Sequence, residues 1–263
     1  MNFVLQIAHL AMAIEGPEPW VAPLAEVWKE WRGADASFQL TLIADAEPPV
    51  TPRPLFQVPF TFTAGVCRQE APGFVGSIDP VNRQGVLRAH PQAGAEDAAY
   101  FVRAACALTA LQEGALLFHA TAVVHREEAY AFFGLSGSGK TTVARLSRPR
   151  PVLNDDLVLL YQQEGRWRVH ATPFGLRRHP EVMSAPLRAF LRLRQALEDR
   201  LAPLSSTLAR VELLANSPVV NADPLRLPQL MALWDRILTE VPAYALYFRK
   251  SPDFWEVMDA HFG

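Results

Sequence analysis

The opening quarter of the chain alternates between element types. Phe3 to Ile14 is an apolar block that predicts a strand, and Pro19 to Trp31 carries Trp20, Leu24, Val27, Trp28 and Trp31 at helical spacing. That stripe predicts a helix packed on a sheet. Phe38 to Ile43 reads as a strand again, and Ala46 to Arg53, AEPPVTPR, is a surface loop or linker because three of its eight residues are proline. Phe56 to Phe62 and Val86 to His90 predict further strands, with Gly73, Gly76 and Asp79-Pro80 marking turns. Residues 1–92 therefore read as a small α+β domain.

Ala95 to Gln112 is the clearest helix, with Tyr100, Val102, Ala104, Ala107, Leu108 and Leu111 forming a wide apolar surface. Glu96 and Asp97 fall where its N-terminal dipole favours negative charge. Two apolar strands follow, Leu116 to Val124 and Ala129 to Phe133, and lead into a glycine-rich loop. A two-turn helix to about Leu146 comes next, then strands Val152 to Asn154, Leu157 to Tyr161 and Trp167 to Ala171. Residues 93–185 are expected to form an α/β core, and residues 186–263 a helical part packed on it. In that last part, Leu187, Phe190, Leu191, Gln195 and Leu197 are assigned to one helix, with Arg188, Arg192 and Arg194 on its other faces. Ser205 or Ser206 caps a second helix through Leu214, and Pro228 opens a third carrying Leu230, Trp234 and Leu238. Ser251-Pro252 starts the closing helix.

Composition narrows the class. Half of the 263 residues are apolar and the formal net charge is −2, which excludes a disordered chain and argues against a nucleic-acid binder or a polybasic membrane protein. Cys67 and Cys106 form no CxxC, so a disulfide framework or structural zinc is not expected, and a reducing compartment is. The block from Phe3 imitates a signal h-region, and Ala11-Met12-Ala13 a cleavage site, but no Lys or Arg precedes them. With no apolar run of membrane-spanning length, the expectation is a soluble, cytoplasmic protein. Only Lys29, Lys140 and Lys250 are lysines among 25 basic residues, so a lysine placed for chemistry is one of three.

Lys140 stands in Gly134-Leu135-Ser136-Gly137-Ser138-Gly139-Lys140-Thr141, which satisfies G-x-x-x-x-G-K-[ST] in full. Glycines let the backbone wrap so that several N–H groups converge on one anion, and a helix beginning at the loop adds its positive end. Gly134, Ser136, Gly137, Ser138, Gly139 and Thr142 are thus candidates to cradle the phosphates of a nucleotide, with Lys140 on the β- and γ-phosphates and the Thr141 hydroxyl on Mg²⁺. Asn154-Asp155-Asp156 follows at the end of a short strand, Asp155 standing 15 residues after Lys140. One carboxylate can hold Mg²⁺ while its neighbour takes a proton from an attacking hydroxyl. The simpler alternative is a single metal ligand beside a turn aspartate. His119, on the strand before the loop strand, is either a core histidine or a group that approaches the loop.

The run Leu117-Phe-His119-Ala-Thr-Ala-Val-Val124, then Ala131-Phe-Phe-Gly134 through Thr142, then Val152-Leu-Asn-Asp-Asp156, resembles the kinase domain of HPr kinase/phosphorylase. The loop and aspartates also look like ATP-dependent phosphoenolpyruvate carboxykinase, a longer enzyme. The chain is more similar to the HPr-kinase-like proteins that act on ribosomal precursor peptides, including lasso-peptide kinases, with a short α+β leader domain and a helical tail. The resemblance implies a P-loop kinase core, ATP and Mg²⁺ as cofactors, and phosphorylation of a serine on an HPr-like protein or precursor peptide. It implies Asp155 as the base, Asp156 turned towards the metal with Thr141, and His119 as an active-site histidine. The chain departs from the family at its E-[IV]-R-G-x-G signature; the nearest segment is Ala171-Thr-Pro-Phe-Gly-Leu-Arg-Arg178, so reverse phosphorylase activity is not implied. Arg177 and Arg178 either grip a phosphate or acidic peptide, or form a solvated basic turn. Two other readings remain, a non-catalytic ATP-binding scaffold or sensor and a small-molecule kinase. A GTPase is disfavoured because neither Lys29 nor Lys250 lies in an NKxD-type motif. The oligomeric state stays open.

Overall fold

A computed structural model describes residues 1–45, 54–175 and 180–263. The loop expected at Ala46 to Arg53, and Arg177 and Arg178, lie outside the described residues. The chain forms two compact units, Met1–Glu113 with Ala222–Arg226, and Gly114–Asn221 with Leu227–Gly263.

The first unit is built on a sheet of strands β1 (Asn2–Ile7), β2 (Leu10–Glu15), β3 (Phe38–Ala44), β4 (Thr61–Thr63), β5 (Val66–Ala71), β6 (Phe74–Asp79) and β7 (Gln84–Ala89). Their order is β1-β2-β3-β7-β6-β5-β4, with β2, β3 and β7 parallel and the other pairings antiparallel. Helices α1 (Glu18–Val27) and α2 (Ala95–Gln112) complete it. The stripe Trp20, Leu24, Trp28 and Trp31 is buried. The block Phe3 to Ile14 is a hairpin rather than one strand, because Ala8 takes a left-handed φ of 53° and turns the chain. Phe56 to Phe62 likewise is not one strand: a 3₁₀ turn covers Leu55–Gln57, and pairing begins at Thr61. Gly76, expected in a turn, lies inside β6, where a Cβ would stand 2.9 Å from the Phe101 ring. It is a glycine of close helix-to-sheet approach. Helix α2 spans the expected residues but belongs to this first unit, so the boundary falls after it rather than at residue 92.

The second unit contains β8 (Leu116–His125), β9 (Glu128–Phe133), α3 (Lys140–Leu146), β10 (Val152–Asn154), β11 (Leu157–Gln163), β12 (Arg166–His170), β13 (Ser184–Gln195), β14 (Arg200–Pro203), α4 (Ser206–Ala215), α5 (Leu227–Glu240), β15 (Ala243–Phe248) and α6 (Phe254–Phe262). Its class is mixed α/β. The pairings close on themselves through β8, β11, β12, β13 and β9, with the long strands β8 and β13 each pairing along different stretches. Strand β10 adds to β8, and β15 then β14 add to β13.

The helical tail expected from residue 186 is therefore corrected: three strands, β13, β14 and β15, occupy it beside α4, α5 and α6. The segment assigned to a helix from Leu187 is β13, and its side chains alternate between two buried faces. Ala189, Leu191 and Leu193 join the core with Val143 of α3 and Phe254, Trp255 and Met258 of α6. Phe190 turns the other way, its ring 5.4 Å from Trp234 of α5 and 5.7 Å from Phe118 of β8. Period two with both faces covered decides for a strand. Ser205 caps α4 as expected, accepting from Leu208 N at 3.4 Å. At α6 the capping position is Asp253 rather than Ser251, and no side chain caps it.

Strands β9, β13 and β15 run parallel, so their C-terminal ends share one edge. Gly134 follows β9 there. From the end of β13, Gln195 Nε2 donates to Gly137 O at 2.9 Å, and at the end of β15 the Phe248 ring lies against Gly139. The C-terminal edge of parallel strands is where α/β proteins place ligands.

Candidate active site

The glycine-rich loop is shaped by backbone that only glycine adopts readily. Gly134 (φ 149°), Gly137 (φ 78°) and Gly139 (φ 114°) all have positive φ. A Cβ on Gly139 would also lie 2.6 Å from Phe248 Cζ, and one on Gly134 would lie 2.9 Å from both Ser138 Oγ and Arg192 Nη1. The Ser138 hydroxyl is buried in this packing without a hydrogen-bond partner among the described residues.

Lys140 folds back over its own loop. Its Nζ donates to Gly134 O at 2.8 Å and approaches Leu135 O at 3.4 Å. Burial holds the ammonium below its usual pKa, and the Asp156 charge acts in the opposite direction.

Opposite the loop stands the aspartate turn. Asn154, fully buried, accepts from Asp156 N at 2.8 Å and Leu157 N at 3.2 Å, and donates through Nδ2 to Thr172 O at 2.7 Å. This is an Asx turn, and it fixes the backbone that carries both carboxylates. Thr172 Oγ1 donates to Leu157 O at 2.6 Å, and Thr121 Oγ1 of β8 donates to Asp155 O at 3.2 Å. A Cβ on Gly175 would lie 2.7 Å from Asp155 Oδ1, so that residue must be small for the carboxylate to keep its place. His119 pairs in register with Leu157, which sets its ring beside the turn: Nε2 is 3.1 Å from Asp156 Oδ1.

Loop residues Ser136, Gly137, Gly139, Lys140, Thr141 and Thr142 line one side of a cavity of about 340 Å³, and His119, Asp155 and Asp156 line the other. Gly134 and Ser138 pack beneath. The structure thus gathers the expected site residues around one space. A cavity of about 560 Å³ in the first unit, lined by Phe56, Glu96 and Tyr100 among others, has no glycine-rich loop on its wall.

The donors suit Mg²⁺. The Thr141 hydroxyl and the carboxylates of Asp155 and Asp156 are hard oxygen ligands on the same cavity. Mg²⁺ usually takes one or two carboxylates and completes its shell with phosphate oxygens and water.

Several residues that shape the site carry no role in the sequence reading, among them Asn154 and Thr172 behind the aspartates, and Gln195 and Phe248 behind the loop. The string Asn-Asp-Asp after a short strand is itself an Asx-turn signature, so Asn154 was open to sequence reasoning. The others depend on strand neighbours far along the chain.

No family model and no curated protein matches the chain. Among solved structures it is similar to the Hpr(Ser) kinase/phosphatase from Coxiella burnetii, at 13% identity and a TM-score of 0.32, over 56% of this chain and 90% of that one. A likeness that slight carries none of the neighbour's chemistry to this chain. Among the described residues, no helix is long and apolar enough to cross a membrane.

Proposed function

We propose that the protein is an ATP- and Mg²⁺-dependent kinase that phosphorylates a serine hydroxyl of a protein or peptide. The observation that carries this reading is the cavity with a complete phosphate loop on one side and two adjacent carboxylates on the other. The serine acceptor, on an HPr-like protein or a ribosomal precursor peptide, rests on the motif resemblance.

In this reading the loop amides and Lys140 grip the β- and γ-phosphates, the ammonium exchanging its two loop carbonyls for phosphate oxygens. Thr141 and Asp156 would hold Mg²⁺, which would supply charge neutralisation on the phosphate oxygens. Asp155 accepts the proton of the attacking hydroxyl as its oxygen bonds to the γ-phosphorus. The bond from that phosphorus to the β,γ-bridging oxygen breaks, and ADP leaves with the electron pair. His119 steadies Asp156, leaving Asp155 for the proton. A positioned base of this kind supplies roughly 10²- to 10⁴-fold in rate.

The test is phosphoryl transfer from Mg-ATP to serine-bearing peptides by the purified chain, with Asp155→Asn and Lys140→Ala beside it. Asp155→Asn is expected to keep nucleotide binding and lose transfer; Lys140→Ala is expected to lose both while the fold persists. Transfer by Asp155→Asn at the wild-type rate removes the base. Nucleotide binding with no transfer to any peptide or small hydroxyl compound points instead to a scaffold or sensor.

A further inference from the structure

Arg192 is a buried cation at the root of the phosphate loop. It lies on β13 opposite Phe133, the last residue before Gly134, and its Nη1 is close enough to Gly134 to exclude a Cβ there. Its Nε is 2.8 Å from Glu212 Oε2 on α4, and its Nη1 donates to Leu193 O at 2.7 Å. Arg194 Nη2 stands further off, 3.9 Å from the other Glu212 oxygen. The guanidinium is held by the Glu212 carboxylate and the Leu193 carbonyl and does not line the cavity. It nevertheless sits at the loop: a Cβ on Gly134 would lie 2.9 Å from Arg192 Nη1, and the Gly134 carbonyl accepts from Lys140 Nζ at 2.8 Å.

The partner helix is tied to the opposite side of the site as well. At the end of α4, Asn216 Nδ2 donates to Glu212 O at 2.8 Å, and Asn216 O accepts from His119 N at 2.9 Å. One helix therefore carries the counter-charge of the loop cation and holds the backbone of the histidine that faces Asp156.

We infer that Arg192 is a positioning residue of the phosphate site, a second cation that acts on a bound triphosphate through the loop, and that Glu212 sets how much of its charge the site feels. The inference rests on the nucleotide reading above. A plain structural ion pair and this arrangement make different predictions. Breaking a structural pair from either end disturbs the same packing, so both variants weaken binding together. A field acting on the phosphates has a sign. Removing the cation weakens polyphosphate binding, and removing its counter-charge strengthens it.

The experiment is calorimetric titration of ATP and of inorganic tripolyphosphate into the full chain and into Arg192→Gln, Glu212→Gln and Arg192→Lys, with thermal unfolding of each. Arg192→Gln is expected to bind both ligands about three- to tenfold more weakly and Glu212→Gln more tightly by a similar factor. Arg192→Lys, which keeps the charge, should bind more tightly than Arg192→Gln even where its stability is no better. Parallel weakening in the two glutamine variants, or no change in either, overturns the inference and leaves the nucleotide reading standing. Failure of the unsubstituted chain to bind either ligand overturns both.

Discussion

Replacement of Asn154 by alanine isolates the device that aims the two carboxylates. Asn154 is fully buried, and its side chain satisfies Asp156 N, Leu157 N and Thr172 O at 2.8, 3.2 and 2.7 Å. The substitution strips all three partners without supplying another. Leu157 is buried, so its N–H has no easy route to water, whereas the half-exposed Asp156 recovers part of its loss by hydration. Leaving a buried polar group unpaired costs about 1–3 kcal/mol, which sets the total at about 2–4 kcal/mol once that recovery is counted. The direct assay is amide hydrogen exchange at Asp156 and Leu157. Where exchange proceeds by local opening, that energy corresponds to a loss of protection of roughly 30- to 700-fold. The phosphate loop makes none of these bonds, so nucleotide affinity in the absence of Mg²⁺ should stay within about twofold of wild type, while transfer falls with the aspartates' alignment. Unchanged protection at the two amides, or undiminished transfer despite lost protection, would refute the assignment of Asn154 as the organiser of the turn.

Gly139→Ala imposes a positive φ on alanine and drives a Cβ to 2.6 Å from Phe248 Cζ. The left-handed backbone alone costs about 1–2 kcal/mol, so denaturant unfolding should show at least that loss together with weakened nucleotide binding; a change within about 0.5 kcal/mol contradicts the packing. In α6, Asp259 accepts from His125 at 2.7 Å and lies 3.0 Å from Arg126 Nη2, and that hydrogen bond first, then the arginine charge, hold its carboxyl below the ordinary carboxylate pKa. A lowered folded pKa means that its stabilising effect is fully present above the ordinary carboxylate value and is lost as pH falls through the lowered one. Unfolding measured across the acid range should therefore show a smaller pH dependence in Asp259→Asn than in the unsubstituted chain, and equal slopes would contradict it.

What could be read from the sequence divides by the range of the interactions that decide it. Helix α2 runs from Ala95 to Gln112 as expected because its composition and its acidic first turn are local signals. The phosphate loop is equally local: eight consecutive residues carry its glycines, its lysine and its hydroxyl. Strand β13 shows the opposite case. Leu187 and Leu191 stand four residues apart, as do Arg188 and Arg192, so the segment satisfies a helical period, while Ala189, Leu191 and Leu193 satisfy a strand period in the same stretch. Only burial on both faces decides between them, against Trp234 on one side and Phe254 on the other, and no window around residue 190 contains either partner.

The same limit explains which site residues were visible. His119, Lys140 and the aspartates advertise themselves by residue type beside a motif, and their meeting needed only that β8 pair where it does. Gln195 and Arg192 became legible only once β13 was a strand lying parallel to β9, since that pairing carries both to the loop. Misreading one segment as a helix thus hid two contacts to the phosphate loop at once. The chemistry of this site is written in short motifs, and its electrostatic setting in strand order. An arginine that looks like surface charge on a helix is, on a strand covered on both faces, a cation fixed beside the glycine-rich loop. Its burial beside Glu212 is then the cost of holding charge where little solvent screens it.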